Sequence, residues 1–170
     1  LLSAILHNDL HKKYTVITVE NSVYLRLTQL TELDPVLAAE QHPDNAPSIS
    51  QWSRQRHQQA IQNNDEQHCT VQSPEGFSGY VLLSGLEDPN QTMELRRIVI
   101  TSKGKGYGRL ALQQIKQFAF ETRRIHRLWL DVKPHNQRAR ALYQSEGFVE
   151  EGTLRDCIKT ATGYESLIVM

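Results

Sequence analysis

Hydrophobic and polar positions run in short strand-like stretches through the first half of the chain and shift to a helical spacing in the second. Tyr14–Glu20 (YTVITVE) and Ser22–Leu27 (SVYLRL) are rich in Val, Thr and Tyr and read as strands, turning at Asn21-Ser22. Asp34-Pro35 starts a helix, with Pro in its first turn and Val36-Leu37-Ala38-Ala39 behind it. His42–Pro47 is a loop, because its prolines and Asx residues break any period. Ser48 or Ser50 then caps a second helix from Trp52 to Ile61. Gln67–Gln72 and Gly79–Leu86 are strands joined by the turn residues Ser73-Pro74-Glu75-Gly76, and a second connection leads into Thr92–Ile100.

After Ile100 the order becomes strand–helix–strand. A helix over Gly106–Thr122 carries Leu112, Ile115, Phe118 and Ala119 on one face. Leu128–Val132 is the next strand. Asn136 caps a helix through Glu146, with Gly147 just past its end. Phe148–Glu151 and Tyr164–Met170 close the chain as strands. With no repeat and no linker, residues 1–170 read as a single domain, and 1–13 as an N-terminal extension to which the pattern assigns no role.

The junction of Ile98-Val99-Ile100 with Lys103-Gly104-Lys105-Gly106-Tyr107-Gly108 carries the first chemical signal. Glycines at alternate positions leave backbone N–H groups uncovered at the mouth of a helix, where the dipole favours an anion. Three phosphate-bearing ligands compete for it, with a ligand-free turn as the plain alternative. A nucleoside triphosphate wants Gly-x-x-x-x-Gly-Lys-Ser/Thr, which is absent. A dinucleotide wants Gly-x-Gly-x-x-Gly after a first parallel strand; Asp131 suits it, but the hairpins before the loop do not. Coenzyme A needs the same N–H cradle with cations beside it, and Lys103, Lys105 and Arg109 supply them.

Bulk composition narrows the partners. Lys and Arg total 19 and Asp and Glu total 19, so the formal charge is zero and no basic footprint for nucleic acid exists. No apolar run reaches the length of a membrane span. Cys69 and Cys157 form neither a disulfide framework nor a metal cluster, which points to a reducing, cytoplasmic setting. The histidines have no metal-like spacing and read as surface or packing residues, so no metal is expected.

From Thr92 onward the chain resembles the GNAT N-acetyltransferases. Lys103–Gly108 is similar to their phosphate loop, Gln/Arg-x-x-Gly-x-Gly/Ala, with Lys at the first position. Asn136-x-x-Ala139-x-x-Leu142-Tyr143-x-x-x-Gly147-Phe148 is the more specific match. Phe148–Arg155 resembles the branch holding ribosomal-protein N-terminal and spermidine/spermine acetyltransferases. Between residues 22 and 91 the likeness rests on the order of elements alone.

The resemblance implies an α/β fold: a mixed, mostly antiparallel twisted sheet of six to seven strands flanked by about four helices. It also implies acetyl-CoA as co-substrate and a primary amine as acceptor, whether a protein N-terminus, a polyamine or another small amine, with a homodimer possible. On that basis Lys103, Gly104, Lys105, Gly106, Tyr107, Gly108 and Arg109 hold the pyrophosphate. The backbone of Ile98, Val99 and Ile100 pairs with the pantetheine arm, and Asn136, Arg138 and Tyr143 complete the donor site. Tyr143 protonates the leaving thiolate. An amine pKa of about 10.4 leaves little free base at neutral pH, so a carboxylate or a water relay helps. Asp131 and Glu94 both qualify. Asp131 stands twelve residues before Tyr143, the spacing of a glutamate–tyrosine pair in some ribosomal-protein enzymes. Glu94 sits early on the fourth strand, where histone-type relatives keep a glutamate. The plain alternatives are an Asp131 ion pair with Lys133 and a solvated Glu94. A non-catalytic acyl-CoA-binding module and a nucleotide-dependent oxidoreductase remain as readings from other classes.

Overall fold

Val, Leu and Tyr repeated at period two build a sheet, and the structure, a computed structural model, describes residues 23–170 of it. The predicted strand Tyr14–Glu20 and the turn at Asn21-Ser22 lie outside the described residues. Five strands form the main sheet in the order β1 (Tyr24–Leu27), β2 (Glu66–Ser73), β3 (Gly76–Ser84), β4 (Thr92–Ile100) and β5 (Arg127–Trp129). All neighbours are antiparallel except β4 and β5. A second sheet pairs β6 (Asp131–Val132), β8 (Gly163–Val169) and β7 (Gly152–Thr160), in that order. The mixed, mostly antiparallel architecture is as expected, with its strands divided between two sheets.

Helices cover both faces of the main sheet. On one face lies α3 (Tyr107–Gln117), continued by a π-helical turn over Phe118–Thr122. Its Leu112, Ile115, Phe118 and Ala119 are buried against Leu25, Val71, Val81, Leu83, Met93 and Leu95. On the other face α1 (Leu33–Gln41) buries Leu33, Val36 and Ala39 against Tyr80 and Val99. α2 is Arg54–Gln62, and α4 is Gln137–Ser145.

One register shift governs what faces where. Leu83 pairs with Leu95 but Leu82 pairs with Arg97, so Arg96 is an extra residue in β4. Without that bulge, Met93, Leu95, Arg97 and Val99 would all share one face. With it, Met93 and Leu95 stay against α3, while Val99 joins the α1 core and the buried Arg97 reaches Glu40 of α1.

Several boundaries differ from the sequence expectation. Ser53, not Ser48 or Ser50, caps α2 by accepting the N–H of Arg56 at 3.2 Å, which leaves Trp52 outside the helix. The predicted strand Leu128–Val132 breaks at Leu130, which exchanges both backbone bonds with Met170 (2.9 Å each) and so hands the chain from one sheet to the other. Phe148–Glu151 forms no strand. Phe148 N–H is used to end α4 at Tyr143 O (3.0 Å), and β7 begins only at Gly152. That strand escaped detection because nearly all of it is exposed and shows no alternation. Leu167, Ile168 and Met170 at the end of the chain are buried within it.

Candidate active site

β4 pairs with β5 only through Thr92, Met93 and Glu94. Beyond Glu94 the partner strand is gone, since β6 turns to β8. Parallel strands that separate in this way leave one edge of β4 with free N–H and C=O groups facing a gap. The gap is a cleft of about 870 Å³, walled by β4 on one side and by α4 and β6 on the other. Glu94, Ile98, Val99, Ile100, Asp131, Asn136, Arg138 and Tyr143 all line it, although they span more than forty residues of sequence.

At one end of the cleft lies the glycine loop. Gly106 is the N-cap of α3 with φ +77° and ψ 1°, a left-handed conformation that an L side chain adopts only at a cost. No side chain caps the helix, so its first N–H groups are open to an anion. Lys103, Gly104, Gly106, Tyr107, Gly108 and Arg109 line the cleft there. Lys103 is half-buried; its Nζ donates to Asn45 Oδ1, and burial, aided by Arg138, lowers its pKa against the pull of Asp44. Arg109 is tied to Glu146 and donates to Ser145 Oγ at 3.0 Å. Lys105 is the exception: it pairs with Glu75 outside the cleft.

The opposite end holds the titratable groups. Ser84 Oγ donates to Glu94 Oε2 at 2.8 Å across the β3–β4 pair. Burial first, and the Glu94 charge second, push the Asp131 carboxyl above its ordinary range, with Arg96 opposing. The alternative reading, an Asp131–Lys133 pair, does not form. Lys133 instead bonds Glu165 at 2.9 Å and Pro47 O at 3.0 Å. Tyr143 is buried on α4, its ring edge-on to Phe148 at 5.9 Å. Burial, and after it the Asp131 charge, raise its phenol pKa. Asn136 Oδ1 caps α4 by accepting the Ala139 N–H at 3.2 Å, as expected.

The sequence reading missed the wall beside this end. Glu40 is 1% exposed and accepts from Trp52 N–H at 2.8 Å and from the Tyr80 hydroxyl. His57 Nε2 lies 3.2 Å from it and Arg97 Nη2 at 3.4 Å. Arg97 in turn donates to Ser50 O, so the cleft-lining stretch Ile49–Trp52 hangs from two buried charges. Burial opposes ionisation of Glu40, but the combined donors from His57, Tyr80 and Trp52 and the Arg97 charge hold its pKa low. The chain of contacts continues from His57 Nδ1 to His68 Nε2 (3.1 Å) and from His68 Nδ1 to Thr28 Oγ1 (2.8 Å). Burial depresses the His68 pKa to about 3, so that ring is neutral. These two histidines are packing residues, and among the described residues no group of His, Cys, Asp and Glu is arranged to hold a metal ion. The available signal was a carboxylate on an apolar stripe, since Leu33, Val36 and Glu40 share one face of α1.

The acetyltransferase (GNAT) domain model matches residues 23–149. The chain belongs to the GNAT family. Over 66 residues it is 41% identical to a ribosomal protein bS18-alanine N-acetyltransferase of Salmonella typhimurium, covering 39% of this chain and 44% of that protein. Over 96 residues it is 29% identical to a spermidine N(1)-acetyltransferase of Vibrio cholerae, covering 55% of this chain and 56% of that protein. The matched stretches thus span about half the length of these two relatives. Among solved structures, spermidine N-acetyltransferase from Vibrio cholerae with CoA and spermine superposes with a TM-score of 0.77 at 21% identity, over 88% of this chain and 94% of that one. A dodecameric form of the Vibrio cholerae enzyme gives a TM-score of 0.72 at 23% identity over 88% and 92% of the two chains. These likenesses establish the GNAT fold, in which the separation of β4 from β5 and the glycine-capped α3 frame one cleft.

Proposed function

We propose that this GNAT protein moves an acetyl group from acetyl-CoA to a primary amine by direct attack in a ternary complex. The observation that carries the reading is the convergence, in one cleft, of an uncapped helix mouth, an unpaired strand edge and the Tyr143–Asp131–Glu94 group. The names of the two sequence relatives, both amine acetyltransferases, support it.

The residues divide the work by position. Open N–H groups after Gly106, with Lys103, Arg109 and Arg138, take the pyrophosphate and the phosphate of the donor. Free backbone groups of Ile98, Val99 and Ile100 pair with the pantetheine amides, and one N–H polarises the thioester carbonyl. The acceptor enters as an ammonium between Glu94 and Asp131. Asp131, made more basic by burial and by the Glu94 charge, draws off its proton directly or through a water. The free amine attacks the carbonyl, the C–S bond breaks and the pair of electrons leaves on sulfur. Tyr143 then donates its phenolic proton toward that sulfur, and the second proton, shed by the acylated nitrogen, restores the phenol. The two proton steps are coupled: the Asp131 charge is part of what keeps the Tyr143 proton on, so protonating Asp131 lowers the cost of releasing it.

A dodecameric structural neighbour favours self-association. The exposed Cys157 thiol suits a reducing, cytoplasmic setting. A purely CoA-binding module has no use for a phenol electrostatically coupled to a carboxylate. Tyr143→Phe keeps the ring against Phe148 and separates the two readings. Transfer, followed by thiol release, falls by at least ~10²-fold while acetyl-CoA affinity holds. Unchanged turnover removes the acid role, and an absence of any turnover in the parent protein that still binds acetyl-CoA assigns it to the binding class.

A further inference from the structure

The charges lining the cleft are sorted by position. Lys103, Arg109 and Arg138 sit with Asp44 around the glycine-loop end. A strand rise of about 3.3 Å per residue puts the bulge at Arg96 roughly 13 Å before the end of β4 at Ile100, and the glycine loop lies beyond that end. Away from the loop Glu94 and Asp131 share the cleft lining with three further cations, Arg96, Arg97 and Lys133. Two of the cations are committed: Arg97 to Glu40 and Ser50 O, Lys133 to Glu165 and Pro47 O. Arg96 is not. Its nearest carboxylate oxygen, Glu94 Oε2, lies 3.7 Å away, and its side chain is 44% exposed. Trp52 offers no aromatic cage for an alkylammonium, because the guanidinium carbons of Arg56 and Arg97 already stand 4.1 Å from its ring centroid.

We infer that the acceptor is an α-amino group, an amine on a carbon that also bears a carbonyl or carboxylate, and that Arg96 is the residue that selects it. This rests on the acetyl-transfer reading above. Glu94 and Asp131 suffice for one ammonium, and no other acidic side chain lines this end of the cleft. A polyamine would carry its next ammonium toward Arg96, where like charge opposes it. An α-amino acceptor instead places an oxygen beside its nitrogen. With the nitrogen at Glu94 and Asp131, that oxygen falls within reach of the planar Arg96 fork. The bulge serves this arrangement: as the inserted residue, Arg96 is free of the strand's alternation, whereas Arg97 is buried.

The test measures kcat/KM for acetyl transfer by the purified chain to free alanine, to a peptide with a free N-terminal alanine, to the same peptide N-terminally blocked, and to spermidine. The expected order puts an α-amino acceptor at least ~10-fold above spermidine, with the blocked peptide inert. The free amino acid and the peptide arms tell a small acceptor from a protein N-terminus. Arg96→Ala raises KM for the α-amino acceptor by about tenfold with kcat and acetyl-CoA affinity nearly unchanged, and Arg96→Lys restores part of the loss. Arg96→Glu narrows or reverses the preference against spermidine. Spermidine used as well as the peptide, or an order that Arg96→Glu leaves untouched, overturns the assignment while leaving acetyl transfer standing. Transfer to none of the acceptors by a chain that binds acetyl-CoA overturns both.

Discussion

The two ends of the cleft are built from different materials. The donor end is backbone: an uncapped helix start, a left-handed glycine and one strand edge without a partner, with a few exposed cations around them. The acceptor end is side chain: a buried carboxylate on α1, an arginine on β4 and the Ile49–Trp52 stretch they hold in place. A backbone site tolerates change in most side chains but demands glycine at fixed positions. A side-chain site tolerates change in spacing but collapses if one buried charge loses its partner.

The largest effect is therefore expected at the acceptor end. Glu40→Ala strips His57, Tyr80, Arg97 and the Trp52 N–H of their common acceptor and lowers stability by about 3–5 kcal/mol, read by denaturant unfolding. A loss within ~0.5 kcal/mol would show that the network holds nothing. The pH dependence has a definite sign. Because the Glu40 pKa is lowered by folding, its contribution is complete above the ordinary glutamate range and is lost as pH falls through the lowered value. Glu40→Gln removes that slope.

Gly106→Ala probes the donor end. The left-handed backbone costs the new side chain about 1–2 kcal/mol. No atom lies within 4 Å of the added Cβ, so strain and not a clash sets the effect. Acetyl-CoA affinity measured by calorimetry falls by at least about threefold as the loop relaxes from its N–H cradle, while the acceptor wall keeps its thermal signature. An unaltered affinity would move the phosphate site elsewhere.

Asp131→Asn has a smaller and opposite effect on stability. Folding raises this carboxyl's pKa, so its ionisation opposes folding as pH climbs through the ordinary aspartate range. The variant gains thermal stability at neutral pH, and the gain vanishes below that range. The acid limb of the pH–rate profile, expected above the usual aspartate value in the parent protein, disappears with it. A parent limb at the ordinary value would exclude Asp131 as the base. The least change is expected from Lys105→Ala. Its pairing with Glu75 keeps it off the donor, so CoA affinity shifts by less than about twofold, against several-fold for Lys103→Ala.

The same contrast explains what was legible beforehand. Gly104, Gly106 and the run from Asn136 to Phe148 are local patterns, and local patterns survive in a linear string. The α3 face was readable for the same reason, since Leu112, Ile115, Phe118 and Ala119 repeat at helical spacing. Glu40 and Trp52 are separated in sequence from Arg97 by α2, β2 and β3, and the three meet only after β4 folds against α1. β7 was invisible because an exposed strand shows no hydrophobic period. The break at Leu130 depended on Met170, at the far end of the chain.

The bulge at Arg96 makes β4 a message with one inserted character. Every side chain after it is read in the opposite frame from those before it. Flattening the bulge so that Arg96 paired with Leu82 would restore the alternation of the strand and scramble its meaning: Arg97 would turn toward the apolar α3 core and Ile98 toward Glu40. Composition would not change, yet both walls of the cleft would be miswritten at once. Deleting Arg96 leaves every later side chain on its present face, because the character removed is the one that was inserted.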